Sequence, residues 1–403
     1  MKADEQGFAK SNTALILGSL LILLPSIDTA NKYFGLRGIA VFVCIGLIGL
    51  FISIRYIIPF LREKISENVF LYLSAAMFIG LAVASAIGYQ LATSGRFGAG
   101  SDADDALIIA AQELFSGNYP YYKETYLKNG ISPMPGSVLI SAPFTLSGTI
   151  YLLNVFWLGV LFFIIRWISG NAVAFFGIAL MLAFSPTSLQ NLATGSDYIA
   201  NTAYILFAIW ALLTSLSSSS SPKWQAYAAA ALFGLTLSSR SNFLVLLPLV
   251  FSALYQIGGF WQAMKYLTVA GIACLAVTLP FYIWDPAGFT PLIVQANKVT
   301  SIEIVLPHAG KLIPLSGFLA AGIFSLRRYK ANDPMFWWYC AIVQFIILVF
   351  TTIVHSIKLG EPDIFVGQSG YGMFTLVFAG VAFALTFLPR SNFPDAAEPE
   401  IAS

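Results

Sequence analysis

Three aspartates, Asp102, Asp104 and Asp105, lie almost side by side in the longest polar segment of an otherwise hydrophobic chain. A carboxylate placed there could act as a general base that removes a proton from an acceptor hydroxyl. The structural alternative makes Asp102 a helix N-cap and Asp105 its capping-box-like partner. Three carboxylates exceed what one cap needs, so both interpretations can hold. Repulsion between the carboxylates should raise the pKa of at least one of them.

A short amphipathic helix is expected directly after the aspartates. Apolar side chains recur there at helical spacing, which predicts a helix of about fourteen residues lying along a membrane surface. Gly117 and Asn118 should end this helix. The apolar positions are Leu107, Ala110, Ala111, Leu114 and Phe115.

Tyrosines follow this helix, and Tyr121 and Tyr122 are the candidates for contact with a sugar. A sugar ring stacks its C–H face on an aromatic ring while its hydroxyls bond to nearby carboxylates. The alternative is an interfacial aromatic belt, which favours tyrosine at the same place. Pro133 and Pro135 then return the chain to an apolar segment along a stiff path.

Four more residues are candidates for substrate binding. Arg240 lies in a tight turn between two apolar segments, where its planar guanidinium suits a lipid phosphate. Its alternative is an arginine that snorkels to lipid headgroups. Asp197 and Asp285 could bind sugar hydroxyls, although each also suits a helix cap or a turn. Lys311 begins a segment at the same predicted face and could contact phosphate.

The composition dictates the environment of these residues. Hydrophobic residues make up 58% of the chain and charged residues 10%, whereas soluble domains average about 25% charged residues. The sequence therefore predicts an all-α, polytopic membrane protein with about twelve membrane segments, each able to cross about 30 Å of hydrocarbon. The predicted segments are 13–31, 37–60, 69–92, 136–165 (bent, or a half-helix plus a span), 171–189, 197–216, 223–238, 242–258, 264–283, 308–326, 335–356 and 371–388.

These segments form one membrane domain, 1–390, with 93–135 as its first large outer loop and 391–403 as a disordered cytoplasmic tail. The net charge of +2 without a basic tract argues against a nucleic-acid partner. The three cysteines all lie in apolar segments without CxxC spacing, which indicates core residues and no metal site.

The bias of lysine and arginine in short loops gives the orientation. A cytoplasmic N-terminus puts the cluster Arg327, Arg328 and Lys330 on the cytoplasmic side. The aspartate loop then lies on the non-cytoplasmic side, together with 185–197, Arg240, 284–307 and 357–370. A site could form where these loops meet.

The pattern of these residues resembles the GT-C superfamily of integral-membrane glycosyltransferases. It is most similar to the polyprenyl-phosphate-mannose-dependent mannosyltransferases and their hexosyl relatives. The resemblance covers about residues 69–300 and depends on short motifs. They are Asp102, Gly117, Pro120-Tyr121, Pro133/Pro135, Pro143-Phe144 and the segment Trp284-Asp285-Pro286-Ala287-Gly288-Phe289 after Pro280-Phe281.

The chain departs from that branch in two places. Two predicted segments precede the one that leads into the aspartate loop, whereas relatives usually place that loop directly after their first segment. Thr194-Gly195-Ser196-Asp197-Tyr198 stands where many relatives carry Gly-Gln. Both departures bear on which donor and which acceptor the chain would use, and less on its fold.

The resemblance implies transfer of a mannose-like hexose from a polyprenyl-phosphate carrier to a lipid-linked or envelope acceptor. The reaction would take place on the non-cytoplasmic face of the plasma membrane, usually with inversion. The first-loop aspartate would be the base: Asp102 by position, or Asp104 with Asp105. No cofactor is required, and a divalent metal would be tolerated.

Other activities remain alternatives at this stage. The chain has no P-loop, dinucleotide fingerprint, HExxH or GxSxG motif, which argues against nucleotide chemistry in a cytoplasmic domain. A transporter or lipid flippase would usually carry ionisable residues near the bilayer midplane, and the predicted segments carry almost none there. A polysaccharide polymerase would tend to have an arginine-rich outer loop, whereas this loop is acidic.

Overall fold

A computed structural model of the protein describes residues 11–96, 101–218, 221–329, 333–363 and 370–388. This part of the chain is helical, and its β-type pairing is an isolated bridge between Glu124 and Gly130. The all-α prediction is confirmed, whereas the tail 391–403 lies outside the described residues. The helices are α1 (Asn12–Leu23), α2 (Ile27–Ile52), α3 (Ile58–Lys64), α4 (Glu67–Thr93), α5 (Ala103–Phe115), α6 (Pro135–Leu146), α7 (Leu152–Ser169), α8 (Ala172–Ala183), α9 (Pro186–Thr194), α10 (Tyr198–Ser217), α11 (Lys223–Leu237), α12 (Leu247–Trp284), α13 (Thr290–Glu303), α14 (Ala309–Phe324), α15 (Pro334–Leu359) and α16 (Gly372–Phe387).

Several helices have the length and apolar composition of membrane spans. Among the described residues six helical stretches meet both criteria, or up to seven if the bent pair α8–α9 counts as one span. This is fewer than the predicted twelve segments. Three further apolar helices, α6, α14 and α16, are shorter. The predicted segment 136–165 forms two helices, because α6 ends at Leu146 and α7 begins at Leu152.

Two of the six stretches are far longer than a bilayer is thick, and a glycine breaks each of them. The stretches Asn12–Lys64 and Ser241–Trp284 contain 53 and 44 residues. Gly35 has φ 66° and Gly259 has φ 77°, a left-handed backbone that favours glycine. Both breaks fall between neighbouring predicted segments.

The core of the bundle surrounds α10 and α16. Nearly every side chain of α16 is buried, and so are most of those in α10. The first two helices lie at the edge of the bundle and expose large apolar side chains such as Phe34 and Ile45. Lipid is the natural contact of such a surface, since soluble proteins rarely expose so large an apolar patch.

Helix α4 shows which loops lie at opposite ends of the bundle. At its first residue, the Glu67 carboxylate accepts the Ala172 N–H at 3.1 Å and lies 3.5 Å from the Arg166 guanidinium. Its last turns carry Tyr89, which bonds to Asp104. A helix of 27 residues is about 40 Å long, so Arg166 and the aspartate loop lie at opposite ends.

The broken pair α8–α9 leads the chain into the aspartate end. The two helices meet at 76°. Ser185 caps α9 by accepting the Ser188 N–H at 3.2 Å, and Pro186 occupies the first turn. Gly195, with φ 66°, ends α9. The turn that follows becomes part of the candidate site.

Candidate functional site

Four loops meet at the aspartate end of the bundle. They are the segment between α4 and α6, the turn after α9, the α11–α12 hairpin and the segment after α12. The aspartate loop, 185–197, Arg240 and 284–307 were predicted to share one face and do meet here, whereas residues 364–369 of the predicted loop 357–370 lie outside the described residues. The contacts that join them are Ser196 Oγ to Ser101 Oγ at 3.1 Å, Gly136 N to Ser238 O at 3.2 Å, and Thr290 Oγ1 to Ile131 O at 2.7 Å.

Asp102 holds the loop that follows α5. It occupies the N-cap position of α5, but its side chain makes no capping bond; Ser101 Oγ accepts the Ala103 N–H instead, at 3.2 Å. Asp102 Oδ2 accepts hydrogen bonds from Thr125 Oγ1 at 2.6 Å and Asn129 Nδ2 at 2.8 Å. The capping-box interpretation is therefore wrong, because the carboxylate points to 125–129. The helix itself is confirmed at 13 residues.

Asp104 is the buried carboxylate of the three. It is 6% exposed, and its Oδ2 accepts a hydrogen bond from the Tyr89 hydroxyl at 2.9 Å. Burial raises the pKa of Asp104 above its ordinary value, and the Tyr89 hydrogen bond partly opposes that rise. The neighbouring Asp105 charge adds a smaller increase. A raised pKa was predicted here, but its main cause is desolvation and not repulsion.

Asp105 is partly exposed, and its Oδ2 accepts the Tyr126 N–H at 2.8 Å. The other oxygen has no hydrogen-bond partner in the described part of the chain. The three adjacent aspartates thus bond to three different sets of partners. Across the described ranges, no group of three or more His, Cys, Asp or Glu side chains is arranged to hold a metal ion.

A cleft of about 620 Å³ opens beside α5. Two of the three aspartates line it, and Asp102 is not among its lining residues. Hydroxyl groups supply most of the remaining polar lining. The polar residues that matter most are Asp104, Asp105, Ser101, Thr194, Tyr89 and Tyr126.

Arg240 and Asp197 form a buried ion pair next to this cleft. Arg240 Nη2 lies 2.6 Å from Asp197 Oδ1, and the two residues are 7% and 1% exposed. Ser137 Oγ donates to the second Asp197 oxygen at 2.6 Å. The guanidinium also lies over the Tyr198 ring, 5.0 Å from its centroid. Arg240 is therefore a buried, paired cation, and the snorkelling interpretation is wrong.

One turn joins the ion pair to the cleft. A Cβ on Gly195 would lie 2.9 Å from Tyr89 Cε2 and 3.2 Å from Asp104 Cβ. The next residue, Ser196, bonds to Ser101, and the one after it is Asp197. The ion pair thus fixes a turn whose glycine packs directly against the Tyr89–Asp104 pair.

Tyr121 is a packing residue in this structure. It is 1% exposed, and its ring makes edge contacts with Tyr119 and Phe289 at centroid distances of 5.5 and 5.1 Å. Burial raises the pKa of Tyr121 well above its ordinary value. The Tyr119 hydroxyl donates to the backbone oxygen of Asp285 at 3.0 Å. No sugar can stack on Tyr121 while its ring is covered.

Tyr122 has the opposite environment. Its side chain is 64% exposed, and a hydrogen bond to Asp285 raises the pKa of Tyr122. Asp285 also accepts the Ala287 N–H at 3.1 Å, as expected for a turn residue. Tyr122 and Asp285 together offer an exposed ring and a carboxylate at the surface.

Lys311 is not among the residues that line the cleft. It is exposed in the first turn of α14. The described residues form four ion pairs, and Lys311 takes part in none of them. The predicted role of Lys311 in phosphate binding stays a prediction.

Several residues of the site were not predicted as site residues, among them Tyr89, Ser137 and Gly195. Tyr89 lies near the end of an apolar segment next to the aspartate loop, a position that favours an interfacial tyrosine. Gly195 follows α9 as a C-terminal glycine, which indicates a helix end and nothing about its neighbours. Ser137 gives no signal in the sequence, because its bond to Asp197 joins segments 60 residues apart.

Comparison of the chain with protein-family models, curated proteins and solved structures gave no match.

Proposed function

We propose that this protein is an integral-membrane glycosyltransferase. It would move a mannose-like hexose from a polyprenyl-phosphate carrier to a lipid-linked or envelope acceptor. The observation that carries the proposal is the cleft where the loops meet, lined by Asp104 and Asp105. A cleft with carboxylates beside an apolar bundle suits a reaction between a lipid-borne donor and a hydroxyl acceptor.

Asp104 is the proposed general base. A base must be deprotonated at the working pH and must still have a tendency to take a proton, which a raised pKa provides. Burial raises the pKa of Asp104, and the Tyr89 hydrogen bond holds its carboxylate in place. Asp105, with one unbonded oxygen, would orient the acceptor hydroxyl. Asp102 ranks last because it is not among the residues that line the cleft, and two side-chain donors bond to its Oδ2.

The proposed reaction is a single displacement. The acceptor oxygen forms a bond to the anomeric carbon of the donor sugar while the bond from that carbon to the phosphate oxygen breaks. The hydroxyl proton passes to Asp104, and the bonding electrons leave with the polyprenyl phosphate. Phosphate is a good leaving group, so the step needs no second carboxylic acid.

Arg240 and Lys311 are the proposed cations for the departing phosphate. Arg240 Nη2 is committed to Asp197, but its buried Nε has no hydrogen-bond partner among the described residues. Lys311 is exposed and contributes a mobile charge.

The proposed membrane arrangement has twelve segments, with the cleft on the non-cytoplasmic face. The stretches Asn12–Lys64 and Ser241–Trp284 would be about 80 and 65 Å long if straight, against about 30 Å of hydrocarbon. The breaks at Gly35 and Gly259 divide each into two crossings. The bent pair α8–α9, the shorter helices α14 and α16, and α11 supply the remaining crossings.

The test is sugar transfer by the purified full chain, with radiolabelled polyprenyl-phosphate hexoses as donors and a membrane lipid extract as acceptor source. Asp104→Asn should lower the transfer rate by about 10²–10⁴-fold, the usual contribution of a general base. Glu113→Gln is the matched control, because Glu113 lies on the same helix and pairs with Lys123.

Two outcomes would contradict the proposal. Full activity of Asp104→Asn would remove the assigned base. Absence of transfer from every lipid-phosphate hexose, with uptake or lipid flipping by the same protein in liposomes, would favour a transporter.

A further inference from the structure

The cleft has an unusual balance of charge for a site at which a phosphate-bearing substrate reacts. Its lining includes the carboxylates of Asp104 and Asp105 and contains no lysine, arginine or histidine among the described residues. In a partly desolvated cleft these charges act at a lower effective dielectric than in water, so they repel an anion strongly. The donor phosphate should therefore lie outside this cleft.

The nearby cations do not cancel this charge. Lys123 is held by Glu113 at 2.5 Å, and Arg240 is committed to Asp197. Arg96 is exposed one residue beyond the lining residue Gly95, where water and salt screen its charge. The cleft interior thus remains acidic.

The remaining lining suits a ligand rich in hydroxyl groups. Ser101, Thr194 and Tyr126 line the cleft. Their hydroxyls already bond within the protein, and each oxygen has two acceptor lone pairs as well as its proton. The free oxygen of Asp105 adds an acceptor. Ile108 supplies an apolar surface for the C–H face of a sugar ring. A hydroxyl group can satisfy carboxylates and hydroxyls alike, whereas a phosphate or carboxylate cannot.

We propose that this cleft is the acceptor subsite and that it selects an uncharged, hydroxyl-rich sugar over one that carries phosphate or carboxylate. The inference rests on the proposed function, because it assigns the cleft to one of the two substrates of that reaction. It goes further by naming the chemical class of the acceptor's terminal sugar.

The test measures binding and does not depend on catalysis. The full chain in nanodiscs of zwitterionic lipid is titrated with methyl α-mannoside and with its 6-phosphate, and binding is followed by saturation-transfer NMR. The uncharged sugar should bind at least about tenfold more tightly, equivalent to about 1.4 kcal/mol. Because the discrimination is electrostatic, raising the salt concentration should reduce it.

Asp105→Asn should reduce this discrimination while the uncharged sugar still binds, since asparagine keeps the shape of the side chain and removes its charge. Glu113→Gln, which removes a carboxylate of the same helix outside the cleft, should leave the discrimination unchanged. Equal binding of both sugars, or binding of neither, would overturn the proposal. Discrimination that survives in Asp105→Asn and in Asp104→Asn would overturn it as well.

The binding test separates this inference from the proposed function. Transfer activity without charge discrimination would leave the glycosyltransferase standing and remove the acceptor subsite. Charge discrimination without any sugar transfer would show that the cleft binds uncharged sugars but would contradict the proposed glycosyltransferase activity. The cleft could then no longer be called an acceptor subsite.

Discussion

Two acidic regions lie side by side at the loop end of the bundle, and the protein treats their charges in opposite ways. In the cleft, Asp104 and Asp105 have hydroxyl and backbone partners and take part in none of the four ion pairs among the described residues. Next to it, Asp197 is neutralised by Arg240 at 2.6 Å. An uncompensated carboxylate costs stability and is available for chemistry, whereas a compensated one stabilises structure.

The two regions are also mechanically linked. The turn 195–197 packs its glycine against Tyr89 and Asp104 and anchors its aspartate on Arg240. Ser137, at the start of α6, bonds to the same aspartate. The ion pair therefore positions one wall of the cleft.

Asp197→Asn should have the largest effect on stability. Removing one partner of a buried ion pair leaves an uncompensated charge and typically costs about 3–5 kcal/mol. Thermal unfolding in detergent, followed by circular dichroism, should show a much lower midpoint. The matched variant is Asp197→Asn combined with Arg240→Met, which removes the orphaned charge and retains an acceptor for Ser137.

The double variant should recover most of the lost stability, because replacing a buried pair by neutral groups of similar shape is often nearly neutral. If Asp197→Asn unfolds at the wild-type midpoint, the ion pair contributes nothing to stability. The paired and unpaired carboxylates would then not differ in their effect on the fold. If the double variant is as unstable as the single one, the loss has a cause other than unpaired charge.

Gly195→Ala should have the next largest effect. Alanine at φ 66° is strained by about 1–3 kcal/mol, and its Cβ would press on Tyr89 and Asp104. Gly117→Ala is the control, since Gly117 has φ 81° and nothing lies within 4 Å of a Cβ there. Both variants should lose stability, but transfer activity should fall further in Gly195→Ala.

Equal activity in these two variants would show that the wall of the cleft tolerates displacement. The ion pair and the cleft would then not be mechanically linked through the turn 195–197.

Local patterns predicted the elements of the site well. The spacing of apolar residues predicted α5, and the alternation of predicted segments predicted that the aspartate loop, 185–197, Arg240 and 284–307 lie at one end. These features depend on residues close in sequence or on the topology of alternating segments, so they can be deduced without coordinates. The breaks at Gly35 and Gly259 also fall where the hydropathy pattern changes segment.

The partners of individual side chains could not be deduced in this way. Asp197 and Arg240 are 43 residues apart, and only tertiary packing brings them together. A run of tyrosines does not distinguish buried Tyr121 from exposed Tyr122. Asp102, Asp104 and Asp105 are equivalent by composition, and only the donors on α4 and on the loop 125–129 distinguish their surroundings.

Asp102→Asn should have a smaller effect than either change above. Asparagine keeps an acceptor for Thr125 and Asn129 but loses the charge that strengthens both hydrogen bonds. A loss of about 1 kcal/mol in unfolding free energy is expected, together with a change in transfer rate of only a few-fold. A loss of transfer as large as that of Asp104→Asn would identify Asp102 as the base and reverse the assignment.

Tyr89→Phe should have the smallest effect at neutral pH and the most specific one. In the wild type, burial raises the pKa of Asp104 above its ordinary value of 3.8, while the Tyr89 hydrogen bond stabilises the carboxylate and lowers the pKa. Without this donor the pKa should rise further, so the base form appears only at higher pH. The acid limb of the kcat/KM profile should therefore move to higher pH, and the rate should recover on the alkaline side. The same shift determines how Asp104 affects the free energy of unfolding. Because its pKa is higher in the folded state than in the unfolded state, Asp104 stabilises the folded state at low pH. This stabilisation is lost as the pH rises through the folded pKa. A uniform loss of rate at all pH values would instead mean that Tyr89 only packs against Asp104 and does not tune its protonation.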